Sequence, residues 1–254
     1  MPQSKIKDTL AFGLGIVLLG VVIQAAGALK GDALVFPGVE EILQAFFRLL
    51  GTGKTYVLIW TTLKHLMASM ACATVIGVAM GVAMGMLPFL RKILQPMMIL
   101  LRSMPMVILI VITMVVAKYS RVPVLASSII LTPMIAEAAC EGCRRIDREL
   151  IDVYRMNAGF NARVLFRVYL PLMAGYLRQA WVNAVGMGVK LAVSTEYLVQ
   201  TRDSLGKAVY TSSYFYEYQD IYAYALVMIL LVLVVSDGPV WLSRCIAAWK
   251  KRDI

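Results

Sequence analysis

The chain has 254 residues, 60% hydrophobic and only 16% charged, with a mean hydropathy of +0.76. A soluble domain is nearer half apolar and a quarter charged, so composition excludes one, and the lack of short alternating segments excludes a β-barrel. The formal net charge of +10 is a topology signal rather than a nucleic-acid patch, because the basic residues stand beside long apolar stretches.

Windows of about 20 residues with almost no charge, the length that crosses a hydrocarbon core, predict an all-α polytopic membrane protein of about six transmembrane helices. Helices satisfy their own backbone groups in lipid. The first span is expected at Leu10–Leu29, after Lys5 and Lys7, as a retained helix rather than a signal peptide. An external connection follows from Gly31 to Tyr56. Within it, Val39–Leu50 has helical apolar spacing with Glu40, Glu41 and Arg48 opposite, as in a short interfacial helix.

Thr61, Thr62, Lys64 and His65 lead into the second span, Leu66–Leu87. His65 is the only histidine, which excludes a multi-histidine metal site; a packed or interfacial side chain is its plainest role. Gly77, Gly81 and Gly85 recur every four residues. They line one helix face and admit a close helix neighbour, in the same subunit or another. The third span is expected at Ile93–Val116, the fourth at Pro123–Cys140, the fifth at Tyr176–Val199 and the sixth at Ile221–Leu242. Residues 1–60 thus form an N-terminal helix plus external segment, and 61–254 a core of five helices.

Lysines and arginines in the flanks set the orientation. With both termini inside, the inner segments hold fifteen and the outer ones seven. Cys140 and Cys143 form a lone CxxC at the inner end of the fourth span, without the second ligand pair that zinc requires. The sixteen methionines read as adaptable packing.

The segment Gly142–Pro171 is too charged to enter lipid and too long for an ordinary connection. Ile146–Met156 carries apolar residues at helical spacing among charges. Asn157-Ala158-Gly159-Phe160-Asn161 supplies a stop and a turn. Residues 162–169 suit a second short helix, and Leu170-Pro171 is expected to break it at the membrane edge.

This insert resembles the EAA loop of the membrane subunits of bacterial ABC importers, EAA-x3-G-x9-I-x-LP. Counting back from Leu170-Pro171 puts Val168 at the Ile position, Ala158 at the Gly position with Gly159 beside it, and Asp152, Val153 and Tyr154 at Glu-Ala-Ala. Glu137-Ala138-Ala139 spells the motif literally but lies too early for the Leu-Pro ending. The resemblance extends over the chain after about Thr61 and is nearest to permeases of the nitrate, sulfonate and taurine type. It is carried by Thr62-Leu63-Lys64, Gln95-Pro96, Met104-Pro105, Thr132-Pro133, Gly142, Glu196 with Ser204-Leu205-Gly206, Asp237 and a basic tail with Trp249. Ala117-Lys118-Tyr119 replaces the Trp-Phe-Gly of those permeases, which puts the substrate in question.

The resemblance implies a type I importer permease in the bacterial inner membrane, both termini cytoplasmic. It implies a second permease subunit, identical or related, two cytoplasmic ATPases and an extracytoplasmic solute-binding protein. Asp152, Val153, Tyr154, Arg155, Ala158, Gly159, Arg163, Leu170 and Pro171 would form the ATPase-docking loop. The chain has no phosphate-binding loop of the GxxxxGK[ST] kind, so ATP and magnesium belong on the partner; this chain has no expected catalytic residue, metal or cofactor.

Charges within spans are functional candidates by default. Arg102 lies in the third span. Asn183, Gly186 and Lys190 share one face of the fifth, with Glu196 pointing elsewhere. Arg102, Asn183, Lys190 and Glu196 are the candidates for a solute path; alternatively Arg102 and Lys190 pair with Glu196, Asp237 or a carbonyl as structure. The competing class is an ion-coupled carrier or channel using Lys190 and Glu196, but six spans without duplicated halves are few for one.

Overall fold

The computed structural model describes residues 37–147, 149, 161 and 164–250, with backbone alone for 237–250. The first expected span, Leu10–Leu29, and Asp152, Val153, Tyr154, Arg155, Ala158, Gly159 and Arg163 lie outside the described residues. The described part is helical throughout: α1 Val39–Leu50, α2 Gly53–Met86, α3 Pro88–Ser103, α4 Met106–Val116, α5 Val122–Arg144, α6 Leu170–Val199, α7 Leu205–Tyr214 and α8 Tyr218–Lys250.

Among these residues α2, the stretch Tyr119–Arg144 that contains α5, and Tyr218–Ser236 of α8 are long and apolar enough to cross a membrane. A fourth crossing forms if α3 and α4 count as one broken span. The expected unbroken third span is therefore corrected. α3 and α4 meet at 103°, and Met104 between them is extended, with φ −67° and ψ 129°. The ring of Pro105 disfavours the α conformation in the residue before it, so the helix stops at Ser103. Pro96 and Pro133, by contrast, sit inside α3 and α5. The helix expected as the fifth span, α6, is 30 residues long but carries Arg178, Gln179, Asn183, Lys190 and Glu196 and is not among the helices apolar enough to cross.

The expected break at Leu170-Pro171 is also absent. A wide π turn at Leu165–Tyr169 runs directly into α6, with Pro171 in the first turn. The wide π turn just before it lets the helix pass through the proline without a break.

The centre of the molecule is α2 packed on α5, with α6 against both. The glycine stripe faces inward to α5: a Cβ on Gly81 would stand 2.5 Å from Ala139 Cβ, and one on Gly85 2.6 Å from Cys143 Cβ. The stripe thus closes a contact within the subunit. Leu66, Met70, Ile110, Leu131 and Ile135 fill the core at zero exposure. The short external helix α1 buries Ile42, Ala45 and Leu49 and packs on α8, tied by an Arg48–Asp220 ion pair.

Candidate functional site

Two polar constellations stand out in this apolar molecule. The first lies where the start of α2, the end of α6 and the start of α7 meet. Glu196 has no exposed surface. Its Oε2 accepts from Thr62 Oγ1 at 2.8 Å and from the Gly206 N–H at 3.2 Å. Its Oε1 lies 2.7 Å from His65 Nδ1. Thr62 Oγ1 in turn accepts from the Leu205 N–H at 3.1 Å.

The local sequence explains the convergence. Thr62 and His65 are three apart on α2 and so share a face. Gln200, in the left-handed conformation at φ 54°, ends α6, and the chain reverses to place the N-terminus of α7 against Glu196. Ser204 caps α7, its Oγ accepting from the Lys207 N–H at 3.2 Å. The free N–H groups and dipole of a helix start favour a carboxylate there. Glycine is required at 206, because a Cβ would stand 2.5 Å from Glu196 Cβ. The arrangement satisfies a buried carboxylate with three donors and locks three helices together; it leaves no solute space around Glu196.

The second constellation is the set of charges the apolar helices leave uncovered. Lys190 and Asn183 are exposed on α6, and Asn183 Oδ1 accepts from Gln179 Nε2 at 3.3 Å. Lys190 has no ion-pair partner among the described residues. It does not meet Glu196, whose partners are on α2 and α7. Arg102 pairs with Glu137 of α5, not with Glu196, and the Asp237 side chain lies outside the description. Of the docking-loop residues described, Leu170 is partly buried and Pro171 exposed.

Sequence reasoning singled out Thr62, His65, Glu196 and Gly206 separately and missed that they form one cluster. A lone histidine and a carboxylate near the end of an expected span in so apolar a chain were the available signal. Glu137 was set aside as a misplaced motif, although a carboxylate within an expected span is itself a signal. Cys140 and Cys143 are buried near the inner end of α5. No group of His, Cys, Asp and Glu among the described residues could hold a metal ion. Next to α1 and α7 a depression of about 430 Å³ is lined by Lys54, Arg202, Asp203, Lys207, Glu217 and Asp220.

Comparison with known proteins agrees with this architecture. The chain is 25% identical over 256 residues to the taurine transport system permease protein of Escherichia coli (strain K12), covering 98% of this chain and 92% of that one. It is 21% identical over 246 residues to a probable ABC transporter permease protein of Brucella abortus (strain 2308), covering 94% and 97%. Among solved structures, the methionine ABC transporter in an inward-facing conformation shares the fold: TM-score 0.65 at 19% identity, over 74% of this chain and 94% of that one. Residues 73–242 match the profile of the binding-protein-dependent transport system inner membrane component. That match runs from the second half of α2 into α8 and takes in the broken α3–α4 pair and the insert, and the chain belongs to this family of ABC importer permeases.

Proposed function

We propose that the chain is one of the pore-forming subunits of an ATP-driven importer for a small anionic solute in the bacterial inner membrane, with both termini cytoplasmic. Solutes of the sulfonate, taurine and nitrate kind fit this reading; a heteroaromatic solute of the thiamine-precursor kind is the alternative. The observation that carries it is Lys190, exposed midway along α6 without a counter-ion among the described residues. A lysine at that depth is costly against lipid and has a place where it faces water or another subunit. Taurine is a zwitterion with a sulfonate, and a taurine permease is among the relatives.

A second permease subunit closes the pathway against the face bearing Asn183 and Lys190. Two cytoplasmic ATPases supply the energy and grip the segment 142–171, with Asp152, Val153, Tyr154, Arg155, Ala158, Gly159 and Arg163 in the docking turn and Leu170-Pro171 passing its movement into α6. A solute-binding protein approaches the charged outer depression beside Lys54 and Lys207. In this reading Arg102 and Glu196 serve the pathway differently: Arg102 lies on an uncovered surface, and Glu196 holds the outer ends of the helices in register.

The test is assembly with the cognate ATPase. Replacing Ala158-Gly159 by two bulky residues is expected to abolish co-purification of the ATPase while the permease remains folded. Unchanged assembly and uptake would overturn the docking assignment.

A further inference from the structure

Glu137 and Arg102 form an ion pair, yet their side chains are 46% and 48% exposed. Glu137 lies three residues before Cys140, where the charge-poor stretch of α5 ends, roughly 5 Å along the axis at the α-helical rise. Uncovered charges inside a span line water or a neighbouring subunit rather than lipid. A cavity of about 270 Å³ lies beside them, lined by Met84, Arg91, Gln95, Met98, Glu137 and Glu141, with Cys140 at its back.

The cavity has a regular origin. Arg91, Gln95, Met98 and Arg102 recur at helical spacing and form one face of α3. Glu137 and Glu141, four apart, face it from α5. Glu141 is already held by Arg145 at 2.8 Å and Arg144 at 3.7 Å. Arg91 has no ion-pair partner among the described residues. The wall therefore carries one cation without an ion-pair partner, Arg91, while Arg102 next to it is neutralised by Glu137.

We propose that this cavity is an aqueous inner vestibule of the solute path, and that Glu137 is the resident counter-ion of Arg102 that sets how strongly the vestibule holds an anion. This rests on the anionic-solute reading above. A site on a path must attract its solute and still release it. An unmasked Arg102 guanidinium would hold an anion beside the vestibule instead of letting it pass. Glu137 supplies a carboxylate already in place, so a passing anion meets Arg91 and Gln95 but only a masked Arg102. No proton or covalent change is involved: the anion and Glu137 compete for one guanidinium. Glu137 is thus a specificity-determining residue outside the docking loop whose motif it happens to spell.

The test needs neither ATPase nor binding protein. In inside-out membrane vesicles, on a chain with Cys72, Cys140, Cys143 and Cys245 replaced by alanine, Gln95→Cys is labelled with the anionic 2-sulfonatoethyl methanethiosulfonate and the cationic 2-(trimethylammonium)ethyl methanethiosulfonate. Asp147→Cys, exposed just beyond α5, is the accessibility control. Adding Glu137→Gln should raise the anionic-to-cationic rate ratio at Gln95→Cys roughly fourfold, the effect of a unit charge ~10 Å away in a water-like dielectric. Arg102→Gln should lower it by a similar factor, the double variant should restore it, and Glu137→Asp should leave it unchanged. A ratio that stays the same in Glu137→Gln, or an unreactive Gln95→Cys beside a reactive Asp147→Cys, would overturn the proposal. Failure of ATP-driven uptake would sink the transport reading and leave this ratio where it is.

Discussion

His65 Nδ1 and Glu196 Oε1 lie 2.7 Å apart, joining the chain's only histidine to the one carboxylate that is fully buried among the described residues. The pair bridges α2 and α6 across 131 positions of sequence. Thr62 and the start of α7 complete the shell, so the outer ends of three helices depend on one carboxylate.

Removing an acceptor from this shell strands buried donors. Glu196→Gln replaces one carboxylate oxygen by a donor that meets another donor, and should cost about 1–3 kcal/mol. Thr62→Val strands the Leu205 N–H and should cost a similar amount, whereas Thr62→Ser keeps the hydroxyl and should stay near the parent. Thermal unfolding of the detergent-purified protein measures all three. Equal midpoints for Thr62→Val and Thr62→Ser would contradict the network.

The α2–α5 contact predicts opposite outcomes for two glycine-to-alanine changes. A Cβ at Gly81 meets the backbone of α5 at Ala136 and the Ala139 side chain, so Gly81→Ala should destabilise by about 1–3 kcal/mol through overpacking. Gly175 has nothing within 4 Å of an added Cβ, so Gly175→Ala should be neutral or stabilise by up to ~1 kcal/mol through helix propensity. Comparing melting temperatures of the two variants checks the direction.

On the outer side, α1 is held by packing more than by charge. Arg48 is mostly exposed, so Asp220→Asn should cost less than ~1 kcal/mol. Ile42 is 7% exposed, and Ile42→Ala should cost roughly 2–5 kcal/mol if the site behaves as core. Protease susceptibility of the Gly51–Gly53 junction should rise in the second variant and not in the first.

Much of this fold is legible in the sequence because lipid imposes simple rules. Charge-poor windows locate α2, α5 and α8, and the four-residue glycine period foretells a close helix contact, though not that α5 is its partner. The bend at Met104 escapes a hydropathy window, which averages over Pro105 and sees only apolar residues on both sides. The rule for residues preceding proline carries that information. The pairings of Arg102 with Glu137 and of His65 with Glu196 are long-range contacts that no local spacing encodes. Pro171 misleads in the other direction: the π turn at Leu165–Tyr169 carries the helix through it, so Leu170-Pro171 continues into α6 instead of interrupting the chain.

The most direct measurement of the central claim is uptake, into proteoliposomes holding the permease, its cognate ATPase and its binding protein, of the anionic solute that the binding protein holds, with and without ATP inside the compartment where the ATPase faces. The account predicts uptake that requires ATP, and at least a tenfold loss in Lys190→Met, equivalent to about 1.4 kcal/mol, with the complex still assembled. Uptake driven by an ion gradient without ATP, or normal ATP-driven uptake in Lys190→Met, would contradict it.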